Sequence, residues 1–489
     1  MQQLMRKFSL AIVAFFVSLT CMCAQSGSAD QPALKLGSVD FSGSIRERVE
    51  FWDWFGGAGQ NNYAFSGTLA QFAFSQNSNS FDWKLDFAIP VFIGLPNRAV
   101  QPAPSGQLGL GGTYYANNSN ASATAFIFAK QGYVRFKGEH AKLQLGRFEF
   151  ADGGEVTPQN KTLAALKNSR INQRLLGIFG YTVVQRSFDG ANLSYSNGPW
   201  NFTAVGAIPT RGVFQVDGWG WVDTPFAYVS ATRQVFYSPH NAAEWRLFGI
   251  YYDDARSVLK TDNRSAAARG ADLYQPIHMG TYGGHYIQAI ETGKATYDLL
   301  GWGAAQTGSW GSQSQRAAAG ALEAGIQPKI WHAVRPWTRG GYYYASGDGN
   351  AKDGTHGTFF TLLYTPRAYT RFPFFNQMNN RDAFGELILR PSKSITIRSD
   401  VHYVSLASKN DLWYTGGGAY QPWTFGYQGR TSSGKSKLAN LYDTSVDYAF
   451  NKAASIGLYY GYAQGGDVIR AIYKNANGQL GFIELNYRF

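Results

Sequence analysis

The chain has 489 residues, a net charge of +12 and two cysteines, and aromatic side chains make up 16% of it. After the first 30 residues no stretch has the ~20 apolar residues of a membrane-spanning helix, and glycine is frequent, with 56 residues. Aromatic belts and glycine-rich turns favour a membrane β-barrel over a soluble α/β enzyme; a secreted β-sandwich or propeller is the soluble alternative. The basic residues are spread along the chain, which argues against nucleic acid and for an anionic solute as partner.

The amino terminus has the pattern of a secretory signal peptide. Arg6 and Lys7 precede an apolar run, Phe8–Leu19, which is too short to span a bilayer. We therefore predict a signal peptide at residues 1–24, with cleavage after Ala24 or as late as residue 29, and a barrel at residues 38–489. Both cysteines lie inside the predicted signal, so the mature chain has no thiol or disulfide.

Short turns alternate with long polar stretches along the remaining chain. Eight turn candidates occur at Ser75–Ser80, Gly138–Ala141, Ser196–Pro199, Ser238–Asn241, Glu291–Ala295, Gln327–Ile330, Pro391–Ser394 and Asn451–Ala454. The long stretches include Gly94–Ala125, Ala151–Gly180, Asp253–Gln275, Ser346–Asp382 and Ala407–Lys437. With both termini in the periplasm, eight inner turns predict one all-β, antiparallel transmembrane barrel of about 18 strands, with short periplasmic turns and long extracellular loops. A barrel of that size leaves an aqueous channel unless loops fill it.

The strands alternate between apolar and charged residues. At the carboxyl end Phe489, Tyr487 and Leu485 share one face, and Arg488 and Glu484 share the other. A basic side chain that faces lipid at mid-depth costs ~2–4 kcal/mol, so the charged faces are predicted to line the lumen. Glu47 and Arg147 share the parity of apolar neighbours, and for these we expect a bulge or an interfacial position.

The alternation predicts a luminal set of charged residues. Its cations are Arg46, Arg48, Lys84, Arg135, Lys137, Arg246, Arg339, Arg390, Arg398 and Arg488, and its acids include Glu244, Glu386, Asp400, Asp443 and Glu484. Because the planar guanidinium binds carboxylates in a bidentate manner and stays charged, the basic excess favours anion conduction. The alternative is that these charges only solvate the wall and pair across strands.

Motifs of catalysis and of metal binding are weak in this chain. It has no HExxH and no Gly-x-Ser-x-Gly sequence, and we expect neither an enzyme nor an organic cofactor. Asp348, Asn350 and Asp353 resemble a calcium loop, although the acidic twelfth residue of an EF-hand is missing. Structural Ca²⁺ and an ordinary Asp/Asn/Gly turn are the two interpretations.

Several motifs resemble the alginate export family of bacterial outer-membrane porins. They are Gly146-Arg147-Phe148-Glu149, Gln185-Arg186-Ser187-Phe188-Asp189-Gly190 and, above all, the run from Pro336-Trp337-Thr338-Arg339 through Asp348-Gly349-Asn350 to Phe372-Pro373-Phe374-Phe375-Asn376. The resemblance implies an eighteen-stranded monomer with an arginine-rich, electropositive constriction that loops and a periplasmic turn can occlude. It also implies an outer-membrane location, outward passage of a polyuronate, delivery by periplasmic polysaccharide-synthesis proteins, and contacts of Arg186, Arg339, Arg390 and Arg398 with the polyanion.

The function expected from residues and resemblance is passive export of an anionic, alginate-like polysaccharide. An uptake porin for small anionic solutes or sugars is the main alternative. An outer-membrane lipase or lyase and a plugged structural barrel are further alternatives.

Overall fold

The computed structural model describes residues 34–56, 60–365 and 368–489. The predicted signal peptide, with both cysteines, lies outside these residues. The barrel strands are β1 (Val39–Asp53), β2 (Asn62–Asn77), β3 (Phe81–Ile93), β4 (Phe128–Lys137), β5 (Ala141–Phe148), β6 (Phe188–Asn197), β7 (Trp200–Pro209), β8 (Phe226–Ser238), β9 (Asn241–Asp254), β10 (Ile277–Glu291), β11 (Ala295–Trp310), β12 (Gln313–Pro328), β13 (Trp337–Ala345), β14 (Asn380–Leu389), β15 (Ile395–Ser405), β16 (Lys437–Ala449), β17 (Ala454–Gly465) and β18 (Asn477–Arg488).

Each strand pairs antiparallel with the next along the chain, and the last strand closes the barrel against the first. In that closing pair Ser44 of β1 lies opposite Arg488 of β18, and Asp53 lies opposite Gln479. The prediction of about 18 strands is confirmed. Each of the eight predicted turns coincides with or overlaps a short connection at one end of the barrel.

Long connections lie at the other end. Their described residues form four short helices, α1 (Leu110–Asn117), α2 (Lys161–Leu166), α3 (Ala266–Ala271) and α4 (Asp467–Arg470), a π-helical turn at Lys167–Ile171 and a small hairpin of Leu412–Gly416 with Tyr427–Thr431. The connection between β11 and β12 is the exception at this end, since it has only Gly311 and Ser312. None of the helices in the described ranges has the length and hydropathy of a membrane-spanning helix.

Side chains of alternate residues point to opposite faces of the wall. In β15 Val401 and Tyr403 are each 52% exposed on the outside, whereas the alternate residues Asp400 and His402 are buried inside. The inside/outside assignment of the charged residues follows this parity, as predicted.

The buried core lies within the barrel, because long connections fold into the lumen. The longest of these, residues 149–187 between β5 and β6, is called the inner loop below. Its Leu163, Leu166 and Ile171 are buried and belong to one apolar cluster with Phe359 and Phe360 of the connection between β13 and β14. The lumen is therefore filled largely by protein, with polar wall residues held against the inserted loops.

Glu47 and Arg147, the two charged residues that share the parity of apolar neighbours, are accommodated differently. Glu47 faces outward without a register shift, and its carboxylate accepts hydrogen bonds from the hydroxyls of Ser66 and Thr68. Arg147 also faces outward without a bulge and forms a bidentate pair with Asp189, at 2.7 Å for each nitrogen–oxygen contact. Its guanidinium lies 5.9 Å from the ring centre of the exposed Trp219, a residue typical of the membrane–water interface.

Candidate functional site

A cluster of buried charges, called the central network below, joins the wall to the inner loop at mid-barrel. Arg398 Nε lies 2.7 Å from Glu386 Oε1 and 2.8 Å from Asp400 Oδ2. Arg339 Nη2 lies 2.8 Å from Glu323 Oε2, and Arg339 also pairs with Asp298. The third arginine of the network, Arg170, comes from the inner loop, with Nη2 2.8 Å from Glu386 Oε2 and Nε 3.2 Å from Glu323 Oε2.

A second set of ion pairs fixes the inner loop to strand β9. Arg246 Nη2 lies 3.0 Å from Oε1 of the loop residue Glu155. Lys167 Nζ, also from the loop, lies 2.6 Å from Glu244 Oε1, which is in turn 3.0 Å from His285 Nε2. The loop thus presents charges of both signs, each complementary to the wall that it meets, and these pairs hold it inside the lumen.

Two other arginines hold the end of the inner loop through main-chain carbonyls. Arg46 donates from Nη1 to Gly180 O at 2.7 Å and from Nη2 to Thr182 O. Arg186, which is fully buried, donates from Nη1 to Ala419 O at 2.9 Å and from Nη2 to Gly417 O at 2.6 Å. Within the described part of the chain neither guanidinium forms a direct ion pair with a carboxylate.

Phe179 and Arg186 of the inner loop, together with Gly417, are called the clamp below. Two cavities lie on opposite sides of this clamp. The outer cavity, about 400 Å³, is formed by the long connections and is lined by Trp54, Gln107, Tyr427 and Arg430, among others. The inner cavity, about 590 Å³, opens near the short turns, and its polar lining includes Lys84, Asp86, Gln131, Glu149, Gln185 and Arg488.

The clamp separates the two cavities. Ile178 and Gln185 of the inner loop line the inner cavity, and Gly416, next to Gly417, lines the outer one. The ring of Phe179 occupies the space where a Cβ on Gly417 would lie, 1.5 Å from that position. Phe179, Arg186 and Gly417 therefore lie between the two cavities.

The remaining predicted luminal residues face inward but are distributed over the length of the wall. Arg48 Nε lies 2.7 Å from Glu484 Oε2, and Arg48 also approaches Glu50. Near the short turns Lys137 Nζ lies 2.7 Å from Asp82, and Arg135 Nε lies 3.9 Å from the same carboxylate. Lys84 Nζ lies 3.2 Å from Asp86.

Two further predicted residues have other kinds of contact. The Arg390 guanidinium packs over the Trp337 ring, 5.3 Å from its centre, and Asp443 accepts hydrogen bonds from Thr370 and Tyr459. Of the predicted set, Arg339, Glu386, Arg398 and Asp400 come together in the central network.

The proposed calcium loop consists of successive Asx turns. A side-chain oxygen of Asp348, of Asn350 and of Asp353 each accepts a main-chain N–H two residues further along. No group of three or more His, Cys, Asp or Glu side chains in residues 34–56, 60–365 and 368–489 is placed to hold a metal ion. Ca²⁺ binding stays a prediction for these residues.

Sequence reasoning missed the loop contribution to the lumen. Arg170, Lys167 and Glu155 lie in a stretch without period-two alternation, so parity could not assign them to a face. Asp298 and Glu323 have inward parity in regular strands, and continuing the alternation through β11 and β12 would have found both.

Comparisons with known proteins agree with this architecture. The family model described as Alginate export matches residues 113–482. No curated protein matches the chain. Among solved structures, OccAB2 of Acinetobacter baumannii has a TM-score of 0.56 at 9% identity, covering 93% of this chain and 99% of that one. OccK9 (OpdG) of Pseudomonas aeruginosa has a TM-score of 0.54 at 10% identity, covering 92% and 98%. OpdK of the same organism, solved with vanillate, has a TM-score of 0.53 at 8% identity, covering 92% and 98%.

These structural neighbours are outer-membrane barrels and share the fold at low identity. The family match spans three quarters of the chain and includes all residues of the central network and of the clamp. The chain belongs to the alginate export family and is an eighteen-stranded β-barrel channel protein of the bacterial outer membrane.

Proposed function

We propose that this barrel passes an anionic saccharide, an alginate-like polyuronate, outward across the outer membrane by passive movement through its lumen. The observation that carries the proposal is a set of arginines, distributed along the lumen, that form no ion pair with a carboxylate of the described residues. Arg430 lines the outer cavity, Arg186 and Arg46 hold the clamp, and Arg488 lines the inner cavity.

These four cations differ from the arginines of the central network. In that network Arg170, Arg339 and Arg398 are matched by Asp298, Glu323, Glu386 and Asp400, so the network itself offers little attraction to an anion. The four arginines without an ion pair instead provide spaced positions that attract carboxylates without binding them too tightly to leave. Family membership supports a saccharide of the alginate type as the substrate.

Uptake of small anionic solutes is the second candidate. The two cavities are of the size typical of small-molecule sites, and the similar barrel OpdK was solved with vanillate, a small carboxylate. This candidate requires a clamp that stays closed to polymers. The two functions therefore differ in the size of the anion that reaches the clamp.

The reversal potential in a planar bilayer under a salt gradient tests the anion preference. We expect the purified protein to be anion-selective, and the double variant Arg46→Gln/Arg186→Gln to lose most of that selectivity. Arg381→Gln is the matched control, because Arg381 is exposed on the outer face of β14 and its loss should leave the potential unchanged. Cation selectivity of the parent protein, or equal effects of the double variant and the control, would contradict the proposal.

A further inference from the structure

The outer cavity has a lining unlike that of the inner one. Aromatic rings of Trp54, Phe214 and Tyr427 and side-chain amides of Gln107, Asn117 and Gln428 contribute to its wall. Arg430 is the single charged side chain among the described residues that line it, whereas the inner cavity has charges of both signs. Rings, amides and one cation together suit a ligand with an apolar face, several hydroxyls and one negative charge.

Arg430 is buried in an incompletely satisfied arrangement. Its side chain is only 4% exposed and packs over Trp413, with the guanidinium carbon 5.0 Å from the ring centre. Nε donates to Ser105 O at 3.2 Å, Nη1 to Thr415 Oγ1 at 3.1 Å and Nη2 to Gln107 O at 2.9 Å. A guanidinium has five N–H groups, so two are left for a ligand.

The neighbouring Arg256 shows how the same loops treat a buried arginine that has a structural role. Arg256 donates to carbonyls of residues 421–425, and it also pairs with Asp254, with Nε–Oδ1 at 2.8 Å and Nη2–Oδ2 at 2.7 Å. Arg430 has no such carboxylate in the described part of the chain. A buried charge without a partner is unfavourable, and a carboxylate ligand supplies the missing one.

We propose that the outer cavity is a saccharide subsite that binds one hexuronate residue. The uronate carboxylate meets the two unused N–H groups of Arg430, the hydroxyls meet Gln107, Asn117 and Gln428, and the apolar ring face packs on the aromatic wall. The subsite rests on the proposed function and adds a discrete position for a single sugar at the extracellular end.

Equilibrium dialysis of the full-length protein in detergent, with labelled D-glucuronate, D-glucose and acetate as separate probes, tests the subsite. We expect saturable binding of glucuronate, at least about tenfold tighter than either glucose or acetate, because ring and charge are both recognised. Arg430→Gln should lower the affinity for glucuronate at least about tenfold, to the affinity for glucose.

A second variant guards against loss of the loop structure that Arg430 supports. Ala116 lies in α1 and lines the cavity without contacting the Arg430 hydrogen bonds, so Ala116→Phe should fill the space and abolish binding of glucuronate and glucose alike. Arg381→Gln, on the outer face of β14, should leave glucuronate binding unchanged.

Four results would each refute the subsite. Glucuronate binding is not saturable, the affinity for glucuronate equals that for glucose, it equals that for acetate, or glucuronate binding is unchanged in Ala116→Phe. The reversal-potential experiment is independent of these results: anion selectivity without glucuronate binding would refute the subsite alone, and cation selectivity would refute the proposed function.

Discussion

Each luminal arginine has a role set by the oxygen atoms that it meets. Arg398 lies between Glu386 and Asp400 and also donates to Tyr369 O at 2.8 Å, so it links two strands to an inserted loop. Arg46 and Arg186 donate to main-chain carbonyls and form no direct ion pair with a carboxylate of the described residues. The residue type alone does not separate these roles.

Arg398→Gln should destabilise the barrel more than it changes ion selectivity. Without Arg398 the carboxylate of Asp400 loses its ion pair and Glu386 loses one of its partners inside the protein, and breaking a buried pair costs ~3–5 kcal/mol. Urea unfolding of the purified variant, followed by tryptophan fluorescence, measures the effect. Arg488→Gln is the comparison, since Arg488 is exposed and its replacement should leave the unfolding midpoint unchanged; equal midpoints for all three proteins would contradict this role.

On the outer face a charge should impair assembly. Val401 is 52% exposed on β15, opposite Gly385 on β14 and Tyr442 on β16, in the band that we assign to lipid. Val401→Arg should lower stability in the membrane by ~2–4 kcal/mol, whereas Val401→Leu should not. The fraction of heat-modifiable, folded protein on a gel after refolding into lipid vesicles reads this out. If Val401→Arg assembles like Val401→Leu, the inside/outside assignment is shifted by one residue.

Parity in the sequence predicted which side of the wall each charged residue faces but not its partner. Side-chain direction in a strand has a period of two and is encoded locally, whereas Arg398 meets Glu386 because β14 and β15 pair in one particular register. Arg170 reaches Glu386 across 216 residues of chain from an irregular loop, and nothing in its local sequence encodes that contact.

At the scale of elements, the inner loop decides whether the lumen is open. Its ion pairs to β9, β12 and β14 anchor its middle, and the clamp of Phe179, Arg186 and Gly417 anchors its end. The sequence marked residues 151–180 as a long loop on composition, but its path follows from long-range contacts that composition does not determine.

Phe179→Ala should open the path between the two cavities. The ring is 2% exposed and seated on Gly417, and the substitution leaves a void there without changing any charge. We expect single-channel conductance to rise severalfold while the reversal potential keeps its sign. Phe202→Ala, which removes an exposed ring from the outer face of β7, is the control, and equal conductance of the two variants would exclude this clamp as the seal.

The extracellular loops around Asp411 should respond to pH. Burial is the main cause that raises the pKa of Asp411 to about 6, although its carboxylate accepts hydrogen bonds from Thr358, Tyr414 and the Asp348 N–H. Since a raised pKa means that folding favours the protonated form, this contribution to stability is fully present below the ordinary pKa of 3.8 and is lost as pH rises through about 6.

Hydrogen exchange of residues 346–359, corrected for the intrinsic pH dependence, measures that response. The free energy of opening that protects these amides should fall between pH 4 and pH 7, by at most about 3 kcal/mol. In Asp411→Asn this free energy should no longer change with pH. Protection that rises over this interval, or the same slope in the variant, would show that Asp411 does not titrate as described.

At the scale of the whole molecule, the turn count and the alternation were sufficient to predict the barrel and its strand number. Because both patterns repeat in every hairpin, local ambiguities such as Glu47 and Arg147 do not change the predicted number of strands. The state of the channel could not be predicted this way, because it depends on how several long connections pack together inside the lumen.

The proposed function depends on recognition of a polyuronate by the lumen. The most direct measurement is the block of current through a planar bilayer by an oligouronate, compared with a neutral oligosaccharide of the same length. We expect concentration-dependent block by the oligouronate, weakened at high salt and in Arg46→Gln/Arg186→Gln, with no block by the neutral chain. Equal block by both oligosaccharides, or none by the oligouronate while glucuronate alone crosses in liposome swelling, would contradict the claim and favour a small-solute porin.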